Sequence, residues 1–186
     1  FQFPPEAIIS IFAFVTSLLV ILFVTKRRQF QMARPLLLIV VTATFWLLTS
    51  TLELAVVDMS AKIFWAKMQY FSITLLPVVW FLLALDYTGA NRFFLDHWRW
   101  LLVEPFFVIG VVWTNEWHHL LWSSIRRIED GDFVFAAFDR GPLYLINVVY
   151  AYVLLVAGTW LLLRFSLRAA RIYRAQTFML ITAVVI

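Results

Sequence analysis

The sequence predicts an all-α integral membrane protein, a polytopic helical bundle with a short β-hairpin between its fourth and fifth spans. Hydrophobic residues make up 63% of the 186 residues and charged residues only 14%, against about 45–50% and about 25% in soluble domains. Five long apolar stretches follow one another, and a shorter sixth follows them. The basic residues fall mainly in every second gap between the stretches. A water-soluble surface cannot be built from so few charges, so the stretches are predicted to cross a bilayer.

The predicted spans are defined by length, because about 20 apolar residues cross a hydrocarbon core of about 30 Å. Several spans begin at or just after a proline, which suits the first helical turn because the N–H that proline lacks would have no partner there. The last stretch holds ten residues, or about 15 Å of helix, so we expect a truncated sixth span. The predicted spans are residues 7–25, 35–57, 63–88, 98–113 and 143–165, with an incomplete 177–186.

Two spans carry further signals. The third contains Pro77, which predicts a kink, and is expected to end at Gly89, a typical helix-stop residue. A short outer turn, residues 58–61, is expected before it. The fourth has only 14 strongly apolar residues, so we expect it to begin near His97 or to be tilted. Glu104 is predicted to mark the start of its helix, where a negative charge is favourable.

The basic gaps predict the orientation. Lys and Arg near the ends of spans are retained on the cytoplasmic side. The first, third and fifth gaps hold 10 of the 15 Lys and Arg residues, so these gaps are predicted to be cytoplasmic and the N-terminus to lie outside. The residues concerned are Lys26, Arg27, Arg28, Arg34, Arg92, Arg99, Arg164, Arg168, Arg171 and Arg174.

A segment of mixed polarity, residues 114–141, separates the fourth and fifth spans. Within it, Asp130-Gly131 is a strong two-residue hairpin signal between two strand-like runs, residues 123–128 and 133–138. We therefore predict an extracellular β-hairpin that covers the outer mouth of the bundle.

Glu53 lies about one turn inside the outer end of the second span. Carboxylates within a membrane are costly, and they are functional by default. One interpretation is a ligand-, ion- or proton-sensing group that faces the bundle interior. The alternative is an interfacial residue that pairs with Lys62 or Lys67 and only orients its helix.

Polar and aromatic residues crowd the segment just after the fourth span, where His118 and His119 are adjacent. Adjacent helical residues point about 100° apart, and metal ligands on a helix are usually three or four residues apart, so no metal site is predicted. The preferred interpretation is an interfacial cap in which Asn115 caps a short helix. A pH- or ligand-sensing role of the histidines stays open.

No pattern for catalysis or cofactor binding is visible. The chain has no Cys, no Gly-rich phosphate loop, no nucleophile elbow and no Lys at mid-span for a Schiff base. We therefore predict no cofactor, no catalytic residues in this segment, and no nucleic acid partner. The lipid bilayer and its anionic headgroups explain the net charge of +4.

Several short motifs, in their order and spacing, resemble the N-terminal seven-transmembrane sensor region of bacterial histidine kinases, which is also found on diguanylate cyclases. No single motif is highly specific, but together they cover essentially the whole chain. They are Glu53, Lys62-x2-Trp65-x-Lys67-x2-Tyr70, Pro77-x2-Trp80, Asp86-Tyr87-Thr88-Gly89, Trp113-Thr114-Asn115-x2-His118-x2-Leu121-Trp122, Gly141-Pro142-Leu143-Tyr144, Tyr150 and Tyr152.

The resemblance implies that residues 1–186 are one sensor domain in the bacterial cytoplasmic membrane, C-terminally truncated, with a cytoplasmic output domain in the same protein. That output would be a histidine kinase or a diguanylate cyclase. Because signalling kinases are usually dimers, the resemblance also implies a homodimer. An unknown small molecule or membrane state would act in a pocket under the hairpin. The candidate lining residues are Glu53, Tyr70, Trp80, Asn115 and His118.

A small-molecule transporter or channel subunit is the alternative function. Transporters commonly show internal repeats and helices broken at mid-membrane. This sequence has no visible repeat, and its intramembrane charges are few and shallow, so the sensory interpretation is favoured.

Overall fold

The structure, a computed structural model, describes residues 1–26, 33–89 and 95–168. The predicted sixth span, residues 177–186, and five of the basic residues that predicted the orientation lie outside this part of the chain. The described elements are α1 (Pro5–Lys26), α2 (Ala33–Ala55), α3 (Met59–Thr88), a 3-10 helix (Trp98–Leu102), α4 (Val103–Trp113), α5 (Asn115–His118), β1 (Trp122–Asp130), β2 (Phe133–Arg140) and α6 (Pro142–Arg168).

Four of the described helices are long and apolar enough to cross a membrane. They are α1, α2 from Pro35, α3, and α6 as far as Leu167. The predicted first, second, third and fifth spans therefore correspond to helices, with ends that differ by a few residues. The predicted helix stop is confirmed, since Gly89 caps α3 in the left-handed conformation with φ 62°.

The start of α3 differs from the prediction. The helix begins at Met59 rather than Ile63, because the Asp58 carboxylate accepts a hydrogen bond from the Ala61 N–H at 2.8 Å. An Asp at this position satisfies a backbone donor that the first turn leaves free. The expected outer turn at residues 58–61 is therefore wrong, and most of it belongs to the helix.

The fourth predicted span is a composite. The 3-10 helix Trp98–Leu102 leads into α4, which has 11 residues and carries Glu104 in its first turn, as predicted. Leu101 packs in one cluster with Leu85 of α3, whereas Trp113 at the other end meets the ring of Phe64. Five residues of 3-10 helix and 11 of α-helix together rise about 26 Å, so the composite segment is slightly shorter than the hydrocarbon core of about 30 Å.

The central helix is α3, which packs against α2, α4 and α6. More than half of its spanning window is buried, 56% against 11% for α1. It runs antiparallel to α2, where the Ser72 hydroxyl donates to the Thr42 carbonyl at 2.8 Å. It runs parallel to α6, where Gly158 lies against the indole of Trp80. Among the described residues α1 packs mainly against α2, and most of its side chains are exposed.

The N-terminus and the hairpin meet at one end of the bundle. The Gln2 side chain donates to the Leu54 carbonyl at 2.8 Å and to the Val134 carbonyl at 2.7 Å. Its own amide oxygen accepts from the Val134 N–H at 2.8 Å. This strap joins the N-terminus, the end of α2 and strand β2. The helix ends that adjoin the basic gaps lie at the opposite end of the bundle.

The predicted hairpin is present, with its turn shifted by one residue. Asp130 pairs with Phe133, so the two central residues are Gly131 and Asp132 rather than Asp130 and Gly131. Gly131 has φ 59°, and a glycine at the first central position is what a type II′ turn requires. Its place outside the membrane stays a prediction.

We expect Gly141→Ala to destabilise the junction between the hairpin and α6 by about 1–3 kcal/mol. A Cβ at this position would lie 2.3 Å from the Leu120 carbonyl oxygen, a backbone atom that cannot rotate away. Thermal unfolding of the purified protein in detergent measures the effect.

Gly110→Ala is the matched control for this substitution. Its Cβ would meet nothing within 4 Å, and alanine is favoured over glycine in a helix by about 0.5–1 kcal/mol. Equal melting temperatures for the two variants would contradict the close packing at Gly141.

Candidate functional site

A cavity of about 550 Å³ lies among α2, α3, α6 and strand β2, directly under the hairpin. Its size is within the range of small-molecule sites, about 300–1,000 Å³. The walls combine charged, amide and aromatic side chains. The lining residues are Trp46, Glu53, Ala66, Gln69, Tyr70, Ile73, Trp122, Ala136, Phe138, Arg140, Tyr144, Asn147, Val148, Ala151 and Tyr152.

Glu53 provides the negative charge of the cavity. It is half-buried in the last turn of α2, and its carboxylate forms no ion pair within the described part of the chain. Lys62, which is fully buried, donates instead to the Glu53 backbone carbonyl at 2.8 Å. Lys67 forms an ion pair with Glu116. Neither lysine therefore forms a hydrogen bond or an ion pair with the Glu53 carboxylate, although Lys62 lies close enough to stabilise the negative charge of Glu53.

Arg140 provides the positive charge. It is the last residue of β2, and its guanidinium lies over the Tyr144 ring at 5.0 Å. Among the described residues no carboxylate is within ion-pair distance of it. The other two arginines of the hairpin differ, since Arg126 pairs with Asp139 and Arg127 with Glu129. Arg140 is an exposed residue at the edge of the cavity, and it is the hairpin arginine that has no acidic partner among the described residues.

Asn147 adds an unsatisfied polar group. Its side chain is 3% exposed, and its Oδ1 atom has no hydrogen-bond partner among the described residues. Buried polar side chains are nearly always hydrogen-bonded, and an unmade bond costs about 1–3 kcal/mol. The Oδ1 atom has almost no exposed surface, so a ligand donor in the cavity would remove this cost once the side-chain amide turns toward it.

Aromatic rings form much of the remaining wall. The rings of Tyr70 and Trp122 meet edge to face at 5.6 Å, and those of Trp122 and Phe138 lie 4.6 Å apart. At the deep end the side chains of Trp46 and Tyr152 are 40% and 64% exposed. Because these two residues lie on α2 and α6, the cavity opens sideways between the two helices.

Two of the five predicted site residues line this cavity, and three do not. Glu53 and Tyr70 are in the wall, and their contact with a ligand stays a prediction. Trp80 lies below the cavity, in a buried cluster with Ala84 and Leu162. The expectation that all five share one pocket is therefore corrected for Trp80, Asn115 and His118.

Asn115 and His118 act on the backbone instead. The Asn115 Oδ1 atom accepts from the N–H groups of Leu121 and Trp122 at 3.0 Å each, and its Nδ2 donates to the Trp122 carbonyl at 2.9 Å. His118 Nδ1 accepts from the Leu120 N–H at 3.0 Å, and its Nε2 lies 3.0 Å from the Thr114 hydroxyl. Both side chains hold the loop that leads into β1.

Sequence reasoning missed Arg140 and Asn147. In the sequence Arg140 is not distinguishable from Arg126 and Arg127 of the same hairpin, whereas the structure pairs those two with hairpin acids and leaves Arg140 without one among the described residues. Asn147 carries the side-chain amide within the predicted fifth span. A lone amide among apolar residues is a signal that was available, because burying it without a partner is costly.

Two ion pairs stabilise the outer part of the site. Hydrogen bonds from Arg126 and from Ser124 hold the pKa of the Asp139 carboxyl at about 2, below its usual value. A hydrogen bond from Lys67 lowers the pKa of Glu116. Both carboxyl groups are therefore charged at neutral pH, and they tie β2 to β1 and α5 to α3.

A family model described as the N-terminal 7TM region of histidine kinase matches residues 9–186. The chain belongs to this family. The resemblance deduced from the motifs is thereby confirmed, and this histidine-kinase 7TM region is a multi-pass membrane protein. No curated protein and no solved structure gives a significant match.

We expect Asn115→Ala to destabilise the 7TM region by about 1–3 kcal/mol, because two buried N–H groups lose their acceptor. Asn115→Asp keeps that acceptor and should lose less. Hydrogen exchange at the Leu121 and Trp122 amides, with thermal unfolding in detergent, measures the difference. Wild-type exchange rates in Asn115→Ala would show that the amide does not hold this loop.

Proposed function

We propose that this chain is the sensory input module of a bacterial histidine kinase, and that its stimulus binds in the cavity under the hairpin. The observation that carries the proposal is the convergence of Glu53, Arg140 and Asn147, from three separate elements, on one space. A charge and an amide without partners are costly in a membrane protein. A ligand that pairs with both groups would offset this cost. A ligand site also agrees with the family, the N-terminal 7TM region of histidine kinase.

The orientation that we propose places the N-terminus and the hairpin outside the cytoplasm. The retention of Lys and Arg on the cytoplasmic side supports this, since the described helix ends near Lys26, Arg99 and Arg164 share the opposite end of the bundle. The Asp58 cap, the Gln2 strap and the hairpin then lie together on the outer side. A stimulus could reach the cavity from outside or from the outer leaflet.

The signal would pass along α3 and α6. These parallel helices contact each other near the cavity, where Tyr144 of α6 packs against the cluster that contains Tyr70, and again at Tyr87 and Phe165, whose rings are 5.4 Å apart. A ligand can shift the bundle only by binding its two arrangements with different affinity. A ligand wedged between α2 and α6 meets this condition, because it contacts both helices at once. The change would reach a cytoplasmic output domain.

The cavity also bears on the transporter alternative. Transporter sites lie near the bilayer midplane, commonly at broken helices. The charged residues of this cavity, Glu53 and Arg140, lie close to the hairpin rather than at the midplane, and α3 continues unbroken through Pro77 beside it. The geometry thus favours a receptor.

The orientation predicts where single cysteines are labelled, and the chain has no native Cys to interfere. With Asp132→Cys in the hairpin turn, an impermeant maleimide should react in intact cells. Asp96→Cys, an exposed residue near the opposite end, is the matched control and should react only after the inner membrane is permeabilised. The reverse pattern would overturn the orientation.

We expect Glu53→Gln to change the output of the full-length kinase, or its dependence on external pH, by about tenfold. Hydrogen bonds to charged groups are worth about 1.5–3 kcal/mol, and 1.4 kcal/mol is a tenfold change. Autophosphorylation in membranes from pH 5 to 8 measures the effect at equal insertion. Glu6→Gln, an exposed residue in the first turn of α1, is the control. A wild-type profile for Glu53→Gln would reduce Glu53 to a structural role.

A further inference from the structure

We infer that the cavity binds a phosphoethanolamine-type zwitterion, with its ammonium group against Glu53 and its phosphate against Arg140; this inference rests on the proposed function. The two side chains come from different elements, α2 and β2, and both line the cavity. Neither forms an ion pair within the described residues. A ligand with one charge would satisfy one side chain and leave the other, whereas a zwitterion satisfies both.

Lys62 leaves the carboxylate of Glu53 available to a ligand. Its ammonium donates to a backbone carbonyl, and it is not among the residues that line the cavity. The carboxylate oxygens therefore remain available to a ligand donor. Arg140 similarly keeps its N–H groups available, because it forms no ion pair among the described residues and its contact with Tyr144 is with the ring. Guanidinium groups bind phosphates through paired hydrogen bonds.

Asn147 gives the cavity a preference between a primary and a quaternary ammonium group. Its buried Oδ1 atom has no hydrogen-bond partner among the described residues and needs a donor. A primary ammonium has three N–H donors, whereas a trimethylammonium has none. Aromatic walls alone suit both cations. The unsatisfied amide thus favours ethanolamine over choline.

The polarity of the cavity changes with depth in the way that such a molecule requires. Arg140, Tyr144 and Glu53 lie near the hairpin, whereas Ile73, Ala151 and Tyr152 lie deeper. Tyr152 is ten residues from the start of α6, or about 15 Å along the helix. The deep end opens sideways at exposed Trp46 and Tyr152. A headgroup with an attached glycerol or acyl chain fits this gradient.

The test uses matched probes and isothermal titration calorimetry on the purified 7TM region in nanodiscs of phosphatidylglycerol. The probes are glycerophosphoethanolamine, glycerol 3-phosphate, ethanolamine and glycerophosphocholine. We expect glycerophosphoethanolamine to bind at least tenfold more tightly than each of the other three. Equal affinity for ethanolamine or for glycerol 3-phosphate, equal affinity for the choline analogue, or no binding of glycerophosphoethanolamine would overturn the inference.

Two variants separate the charges. Glu53→Gln should weaken glycerophosphoethanolamine at least tenfold and leave glycerol 3-phosphate unchanged, which also shows that the variant is folded. Arg140→Gln should weaken the binding of glycerophosphoethanolamine and glycerol 3-phosphate and leave that of ethanolamine unchanged. Glu6→Gln and Arg127→Gln, which alter exposed residues outside the cavity lining, should bind all four probes like the wild type. If Glu53→Gln and Arg140→Gln weaken an identical set of probes, the two residues do not bind separate parts of the ligand.

A second set of nanodiscs distinguishes the source of the ligand. If phosphatidylethanolamine in the disc abolishes the titration of glycerophosphoethanolamine, the ligand is a lipid headgroup; an unchanged titration identifies a free molecule. Failure of every zwitterion probe, together with an altered output in Glu53→Gln, would overturn only the ligand class. Zwitterion binding that leaves kinase output unchanged would overturn the sensory role.

Discussion

Two buried lysines in the first three turns of α3 determine how the hairpin end of the bundle is assembled. Lys62 is fully buried and Lys67 nearly so, and a buried ammonium is tolerated only when it is paired and hydrogen-bonded. Lys62 donates to the Glu53 carbonyl of α2, whereas Lys67 reaches the Trp113 carbonyl of α4 and the carboxylate of Glu116. Leaving such a charge without its partner costs about 3–5 kcal/mol. The two ammonium groups therefore fix the helices on either side of α3.

The loop above these lysines follows from a similar constraint on the backbone. Leu121 and Trp122 enter the hairpin in a buried position where their N–H groups have no sheet partner, and Asn115 supplies the acceptor. Gln2 does the same for Val134 on the other strand. Because both strands are held, Trp122 and Phe138 stay over Tyr70 as the upper wall of the cavity. The shape of the site thus depends on satisfied hydrogen bonds as well as on apolar packing.

Much of the fold could be predicted from the sequence because its signals are local. Apolar length and proline position predict the long helices, and a glycine beside an aspartate predicts the hairpin. The sequence did not reveal the Asp58 cap, the one-residue shift of the turn or the 3-10 start of the fourth segment. Each of these depends on which backbone group finds a partner, a competition that apolar patterning does not report.

The candidate site was predictable only in part, for the same reason. Glu53 and Tyr70 were identified because a carboxylate and a phenol near a span end are unusual in their own surroundings. Asn115 and His118 are equally polar, yet their polarity is consumed by backbone groups a few residues away. Arg140 differs from these two residues, because no acidic residue among the described ones pairs with it. This missing partner is the reason for its proposed role as a ligand contact. Such a role is visible only when the contacts of all three hairpin arginines are known.

The position of Trp80 suggests how occupancy of the cavity would be felt by the rest of the bundle. Below the cavity, Trp80, Leu162 and Ile39 bring α3, α6 and α2 together in one cluster. The absence of a side chain at Gly158 permits this, because a Cβ there would lie 3.0 Å from the indole. The helices are therefore joined at this level and separated above it by the cavity. Tightly packed contacts resist compression. If a ligand changes the distance between α2 and α6 at the cavity, the contact at Trp80 would therefore not compress. Instead, α6 would rotate about that contact.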